Sequence, residues 1–390
     1  MPTSHLALPR RTSLRAFVDG ADWSSFRAAV SLHAHTSYSR ETLSDLPAYT
    51  RRIPVIGERL TRRLGGGRRS AEPTVDLTKG WWNPPASPRV VFESEAAQID
   101  QRFGLDSMVS ITDHDDIAAG IELQTLFAAR RAPVSVEWTV PYAEGYFHLG
   151  VHHLPQNCAV EWLSRLTAFT SGRRGETIRD LLDALHRAGS LVVFNHPWWD
   201  LAAIGDRLHA LRLRQFIDAY QPWLHAIEIN GYRSRAENSR VRLLASERRL
   251  PLVAGGDRHG LAPNALLNLT RASSFAEFVA EVRDGVSHVV VMPEYQLPVG
   301  LRVLACAGDV LAPHRVQASG RQPWTHRVSC ECDGEMRPLS SCWPRGGPLW
   351  IRSSVAAFNL LSSRPLRPLV RRALRGLDGP APVWPMAILG

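Results

Sequence analysis

Lysine is almost missing from this chain: Lys79 stands alone among 46 basic residues, so the formal charge of +9 is carried by arginine. The sequence pI is about 9.8. The arginines run along the whole length instead of gathering in a block, which reads as coding bias and not as a nucleic-acid patch. A basic balance still suits an anionic substrate. Cysteine is scarce too: Cys158, Cys306, Cys330, Cys332 and Cys342 contain no Cys-x-x-Cys pair, and five is an odd number. A complete disulfide framework is therefore disfavoured and a reducing cytoplasm is the expected location. No run of about 18 apolar residues exists to span a membrane, and MPTSHLALPRRTSLRAFVDG lacks the apolar centre of a signal peptide. Neither Gly-x-Gly-x-x-Gly nor Gly-x-x-x-x-Gly-Lys occurs, which weakens dinucleotide and phosphate-loop readings. With 390 residues, 44% hydrophobic and 21% charged, what is left is a globular protein of one large domain or two smaller ones.

Strand-like and helix-like stretches alternate. MVSITDHDD, APVSVEWTV, YFHLGVHHL, GSLVVFNHPWWD, HAIEING and LPLVAGGDRHG read as strands. SEAAQIDQRFGLDS, ETIRDLLDALHRAG and SRAENSRVRLLASERR carry helical spacing between them. This grammar predicts an α/β fold with a mainly parallel sheet. Polar residues fall at the C-terminal ends of the strands, which favours a barrel gathering those ends at one mouth over a doubly wound sheet.

Three segments frame that domain. Residues 1–30 form an N-terminal extension, 31–300 the domain itself, and 301–390 a turn-rich C-terminal extension. Inside the domain, the Gly-, Pro- and Arg-rich residues 46–90 read as a long insertion, a mobile flap at the mouth. SSVAAFNLLSSRPLRPLVRRALRGL mixes leucine with arginine; its prolines interrupt an apolar face, so packing on the barrel is preferred to a membrane-surface helix.

The chemistry-bearing residues share one position, the strand end. His33 and His35, two apart in VSLHAHTSYS, project to one side as an alternating strand requires. Downstream come His114 after Asp113, Glu137, His148, His196 within Asn-His-Pro, and Asp257, Arg258 and His259 within Gly-Asp-Arg-His. Imidazole and carboxylate without thiolate suit Zn²⁺, Mn²⁺ or Fe²⁺ at an open, hydrolytic site rather than a closed structural zinc site.

In LHAHTSYS, ITDHDDIAAG, SVEWTV, FNHPWWD and GGDRHG, taken in order, residues 31 to about 260 resemble the PHP (polymerase and histidinol phosphatase) family of metal-dependent phosphoesterases. The resemblance implies a distorted seven-stranded, TIM-like β/α barrel holding two or three divalent metals. Carried over by position, His33, His35, Glu137 and Asp257 would hold one metal; Glu137 would bridge to a second with His148 and His196; His114 and His259 would hold a third. Where the family has Asp or His after the first motif, this chain has Arg40 and Glu41, so Glu41 is the candidate ligand of the third metal and Asp45 a weaker one.

Around the metals, Asp113 either orients an imidazole or caps the next helix, and Glu228 and Asn230 support the ligands. Arg233 and Arg258 are candidate phosphate clamps. His152 shares a face with His148, so periodicity does not separate them, and His153 follows; Trp81, Trp82, Trp198 and Trp199 either stack on a ligand or pack. The expected activity is hydrolysis of a phosphate ester by a hydroxide shared between metals roughly 3.5–4 Å apart, with a small phosphorylated metabolite or nucleotide as substrate. The alternatives are a nuclease acting on nucleic-acid ends and a noncatalytic module binding metal or a phospholigand.

Overall fold

The computed structural model describes residues 11–43, 75–126, 129–173, 175–316 and 320–374. Strand pairing divides between two five-stranded sheets. The first contains β1 (Arg11–Ala16), β2 (Ala28–Leu32), β5 (Asp106–Ser110), β11 (Leu266–Thr270) and β12 (Val286–Val291), in the order β1-β12-β11-β2-β5. The second contains β6 (Val136–Tyr142), β7 (Gly145–His152), β8 (Leu191–Phe194), β9 (Ala226–Asn230) and β10 (Leu252–Gly255), in the order β10-β9-β8-β7-β6. Two isolated parallel bridges join the sheets, Ala34 with Arg258 and His114 with Glu137. Ala34, Arg258 and His114 lie just beyond the ends of β2, β10 and β5, and Glu137 is the second residue of β6.

The fold is mixed α/β, and the expected predominance of parallel pairing is corrected. β2–β5, β8–β9, β9–β10 and β1–β12 are parallel, whereas β2–β11, β11–β12, β6–β7 and β7–β8 are antiparallel. The reason is local in one case: Ala143 at φ 52° turns the chain through a two-residue hairpin between β6 and β7.

Strands β2, β8, β9 and β10 are buried along their whole length, as strands covered on both faces must be. Helix Ile178–Arg187 packs Leu181, Leu182 and Leu185 inward; it begins with a reciprocal Thr177–Asp180 capping box and ends before Gly189 at φ 80°. Helix Arg235–Arg248 has the same start in Ser234 and Glu237. Phe147, Phe194 and Phe216 pack together with ring centroids 5.0–5.3 Å apart beneath the second sheet.

Three segments differ from their expected boundaries. Arg11–Ala16, placed in an N-terminal extension, is an edge strand parallel to β12. The expected flap lies mostly outside the described residues, but its later part is structured. Residues Val75–Trp82 are β4, and Pro88 opens the helix Pro88–Phe103, where its missing N–H costs nothing. β3 (Glu41–Thr42) and β4 then build a second structural unit with β15 (Val328–Cys332) and β16 (Glu335–Pro338), in the order β16-β15-β4-β3. The C-terminal residues are therefore knitted to the segment following His35. Helix Leu349–Ser362 buries Ile351 and Phe358, whereas helix Arg367–Leu374 buries no side chain. Among the described residues, no helix is long and apolar enough to cross a membrane.

Below the mouth lies a buried ion pair. The Arg258 guanidinium donates to Glu95 Oε1 at 2.5 Å, and Glu95 also accepts from Ser31 and Asn264. Arg258 is 1% exposed and Glu95 0%. Replacing Arg258 with Leu leaves the carboxylate buried without its cation, and the expected cost is about 3–5 kcal/mol of folding stability. Urea denaturation of the variant measures it.

Candidate metal centre

Six histidines and three carboxylates converge in a buried cage at the strand ends. Glu137, 0% exposed, is its centre. Its Oε2 lies 2.9 Å from His33 Nε2, 3.3 Å from His35 Nε2 and 3.3 Å from His114 Nδ1. Its Oε1 lies 3.1 Å from His196 Nε2 and 3.3 Å from His148 Nδ1. Both oxygens thus face imidazoles on opposite sides, as a bridging carboxylate would. Asp257 Oδ1 stands 3.7 Å from His33 Nε2 and 3.6 Å from His35 Nε2.

Glu41 occupies the third corner. Its Oε2 is 3.2 Å from His114 Nε2 and 3.1 Å from His259 Nε2, and its Oε1 is 3.6 Å from His35 Nδ1. β3 pairs it with Trp82 of β4, and the Ser39 hydroxyl donates to Oε1 at 2.6 Å.

Local backbone geometry aims these groups inward. His33, His196 and Asp257 all have positive φ, 65°, 26° and 51°. Non-glycine residues rarely adopt that conformation, and it clusters at functional sites. Each residue ends or follows a strand, so the left-handed turn carries its side chain into the mouth.

A ring of hydrogen bonds orients the ligating groups. Glu228 Oε2 sits 2.9 Å from His33 Nδ1, which leaves Nε2 facing Glu137 and Asp257, the usual carboxylate support of a metal-binding imidazole. Asn230 donates to Glu228 Oε1 at 2.6 Å and to Asp257 Oδ2 at 3.1 Å. Gly255 is required beside them, because a Cβ there would collide with the Glu228 side chain.

His148 belongs to the cage and His152 does not: His152 Nδ1 is 2.8 Å from Ser110 Oγ, and burial pushes its pKa down to about 3. His153, at φ 63°, lies against Phe275. Asp113 neither orients an imidazole nor caps the next helix. Its carboxylate accepts from the Thr36 amide at 2.5 Å and hydroxyl at 2.7 Å, fixing the loop after His35, while Asp116 meets the helix start. Burial raises Asp113 to about 6.

Arg258 is corrected as a phosphate clamp, since its guanidinium points down to Glu95. Arg233 stays at the mouth, 3.0 Å from Asp257 Oδ2 and with its guanidinium carbon 3.0 Å from the centre of the Trp199 ring. Trp82 lies 5.6 Å from His259. Trp81 and Trp198 instead carry Arg40 and Arg240 over their rings. Asp45 lies outside the described residues.

Two supporting residues escaped sequence reading. Ser39 touches His35, Glu41 and the His114 amide. Asn195, in the Asn-His-Pro phrase that marked His196, donates to Glu137 Oε1 at 2.9 Å.

The residues fit divalent cations. Four subsets of three or four groups each offer donor atoms within 4.8 Å of one another. The buried ring nitrogens His35 Nε2, His114 Nδ1, His148 Nδ1 and His259 Nε2 make no hydrogen bond, which is unusual for buried polar atoms and points them at an acceptor of another kind. Electrostatics agree. Burial opposes charge on His114, yet Glu41 and Glu137 outweigh it and push it up to about 10. Burial likewise opposes charge on His33, but Glu137, Glu228 and Asp257 hold it well above the ordinary range. Glu41, Glu137 and Asp257 are held well below theirs by the histidines against the same burial.

No known family's sequence profile matches the chain, and no curated protein does. Solved structures similar to it include metal-dependent phosphoesterases and an amidohydrolase. One, from Bifidobacterium adolescentis and described as a metal-dependent phosphoesterase, is 16% identical, covers 67% of this chain and 97% of its own, and has a TM-score of 0.37. A two-domain protein from Bacteroides vulgatus containing a predicted PHP-like metal-dependent phosphoesterase is 13% identical over 70% of this chain and 66% of its own, TM-score 0.35. An amidohydrolase from Chromobacterium violaceum, with bound sulfate and no metal, is 15% identical over 45% and 83%, TM-score 0.34.

Metal ligation needs neutral imidazoles, whereas the carboxylates around His33 and His114 favour their protonated forms, so cation binding competes with protons. Zn²⁺ or Mn²⁺ uptake between about pH 7 and 8 is therefore expected to release protons and to tighten as pH rises. Calorimetry in buffers of different ionisation enthalpy measures the protons released per ion bound. Glu41→Gln is expected to remove about one metal equivalent by elemental analysis while the His33 and His35 site stays filled, because a neutral amide lacks the anionic oxygen that divalent cations favour.

Proposed function

We propose that this protein is a metal-dependent phosphoesterase that hydrolyses a phosphate ester. The single observation that carries the reading is the cage itself, in which eight candidate ligands gather around a Glu137 that faces imidazoles through both oxygens. His33, His35, Glu137 and Asp257 would hold one metal, Glu137, His148 and His196 a second, and Glu41, His114 and His259 a third. Zn²⁺, Mn²⁺ and Fe²⁺ all suit these ligands. What a divalent cluster supplies in such a cage is Lewis acidity toward a phosphoryl oxygen and activation of water near neutral pH.

The chain's own residues supply binding and orientation. Glu228 fixes the His33 ring, and Asn195 and Asn230 fix Glu137 and Asp257. Arg233, braced between Asp257 and Trp199, brings a permanent positive charge to the edge of the cage, where a phosphoryl group would bind. Thr36, locked by Asp113, holds the loop from His35 toward Glu41. No serine or cysteine nucleophile is needed in this scheme.

The barrel reading is part of the same proposal. The bridge from His114 to Glu137 links the end of β5 to β6, and that from Ala34 to Arg258 links the end of β2 to β10. Both support a ring of β2 and β5 through β10, seven strands with the cage at its mouth, to which β11, β12 and β1 add a flank.

A metal-supplemented preparation is expected to hydrolyse a generic aryl phosphate, with the rate depending on which of Mn²⁺, Zn²⁺, Fe²⁺ or Mg²⁺ is added. Replacing His33 and His35 together with Ala is expected to reduce the rate by at least about a thousandfold, since at least one ion and its electrostatic contribution go with them. A metal-loaded protein with no turnover of any phosphate mono- or diester would leave only a binding module.

A further inference from the structure

From a cavity of about 250 Å³ that opens directly onto the cage, we infer that the substrate is a phosphate ester of an apolar alcohol, its hydrocarbon portion seated against the C-terminal helices. The inference rests on the phosphoesterase reading and specifies its substrate. Asp257, His259 and Arg233 form the polar edge of the cavity. Nearly all of the remaining exposed wall is apolar, with Trp82, Ala307, Val310, Trp343, Val355 and Phe358 prominent, whereas Asn83, Tyr232, Cys306 and Ser354 reach it with very little polar surface. The other guanidinium on the wall, Arg327, donates to the carbonyls of Val310 and Ala312 at the end of helix Val299–Leu311.

A metal cage with an arginine beside it recognises an anion, and an adjoining apolar chamber recognises whatever is esterified to that anion. Pockets that bind small molecules are mostly apolar with a few convergent polar groups, and here the polar groups are the cage. A sugar or a nucleoside would have to leave its hydroxyls unpaired against this wall, a penalty such a site imposes on every polar substrate atom. An alkyl, isoprenyl or aryl group has no such atoms. Much of the chamber wall comes from helices Val299–Leu311 and Leu349–Ser362 and from the β4 segment carrying Trp82, outside the two five-stranded sheets that carry the cage residues other than Glu41.

The test compares ethyl, butyl and octyl phosphate with the metal-loaded full chain, reading kcat/KM by phosphate release. In parallel, binding of ethylphosphonate and octylphosphonate, below micelle-forming concentrations, is read from intrinsic tryptophan fluorescence. Chain length should raise kcat/KM and phosphonate affinity by about fourfold per methylene until the chamber is full. Ala307→Trp and, independently, Val355→Trp narrow the chamber from two different helices. Each should cut the octyl-over-ethyl ratio of kcat/KM at least tenfold. Equal kcat/KM for ethyl and octyl phosphate, with equal phosphonate affinities, overturns the inference while the phosphoesterase reading stands. If no ester turns over but octylphosphonate still binds more tightly, in a manner sensitive to both tryptophan substitutions, the phosphoesterase reading falls and the amphiphile site remains.

Discussion

A single buried carboxylate sets the terms for the rest of the structure. Glu137, the second residue of β6, is wholly buried, and an uncompensated charge there would be prohibitive. Compensation comes from imidazoles on four different chain segments, His33 and His35, His114, His148, and His196. Those segments are brought together by backbone as well: the Glu137 amide donates to the Asp113 carbonyl, and its own carbonyl accepts from the Asp115 amide. The seam between the two sheets and the electrostatic centre are the same residue. This is why strand pairing and site geometry cannot be separated here.

The price of that arrangement is local conformational strain. Three cage residues carry left-handed backbone, a state worth on the order of 1–3 kcal/mol each when the surroundings must impose it. The surroundings are able to: β2, β8 and β10 are buried throughout, and the networks of Glu95, Arg258, Ser31 and Asn264 below and of Glu228 and Asn230 alongside hold the strand ends. Rigid support beneath and strained ligands above are what a preorganised cation site requires.

Much of this was legible in the residues themselves. His-x-His at a strand end, the Glu in SVEWTV and the ordered Asp and His phrases announce side chains on one mouth, because strand periodicity and chain order are local properties. Glu41 could be singled out as a departure from the family pattern, and it does stand between His114 and His259. What stayed illegible depends on contacts distant in sequence. Arg258 and Arg233 have the same chemistry, and only the positions of Glu95 and Trp199 send one downward and the other to the mouth. His148 and His152 share a face of β7, and the choice between them is made by Ser110 on another strand. The pairing of β4 with β15 joins residues whose separation no helical or strand period encodes, so the C-terminal region read as an appendage rather than as a wall of the site.

That pairing has a consequence for how the molecule comes into being. Glu41 is held by β3 against β4, and β4 against β15, so the position of a residue near the start of the chain is secured by one made near its end. Contacts so far apart form late, because the loop they close must be ordered first. On the ribosome, the parts of the cage supplied by Glu137, His148 and His196 emerge and can assemble while the clamp on Glu41 does not yet exist. A cation captured at that stage would meet an incomplete coordination shell, one corner still open to solvent. A strand made nearly three hundred residues after Glu41 thus closes the first ligand loop, so the completed centre depends on chain that emerges long after most of its ligands.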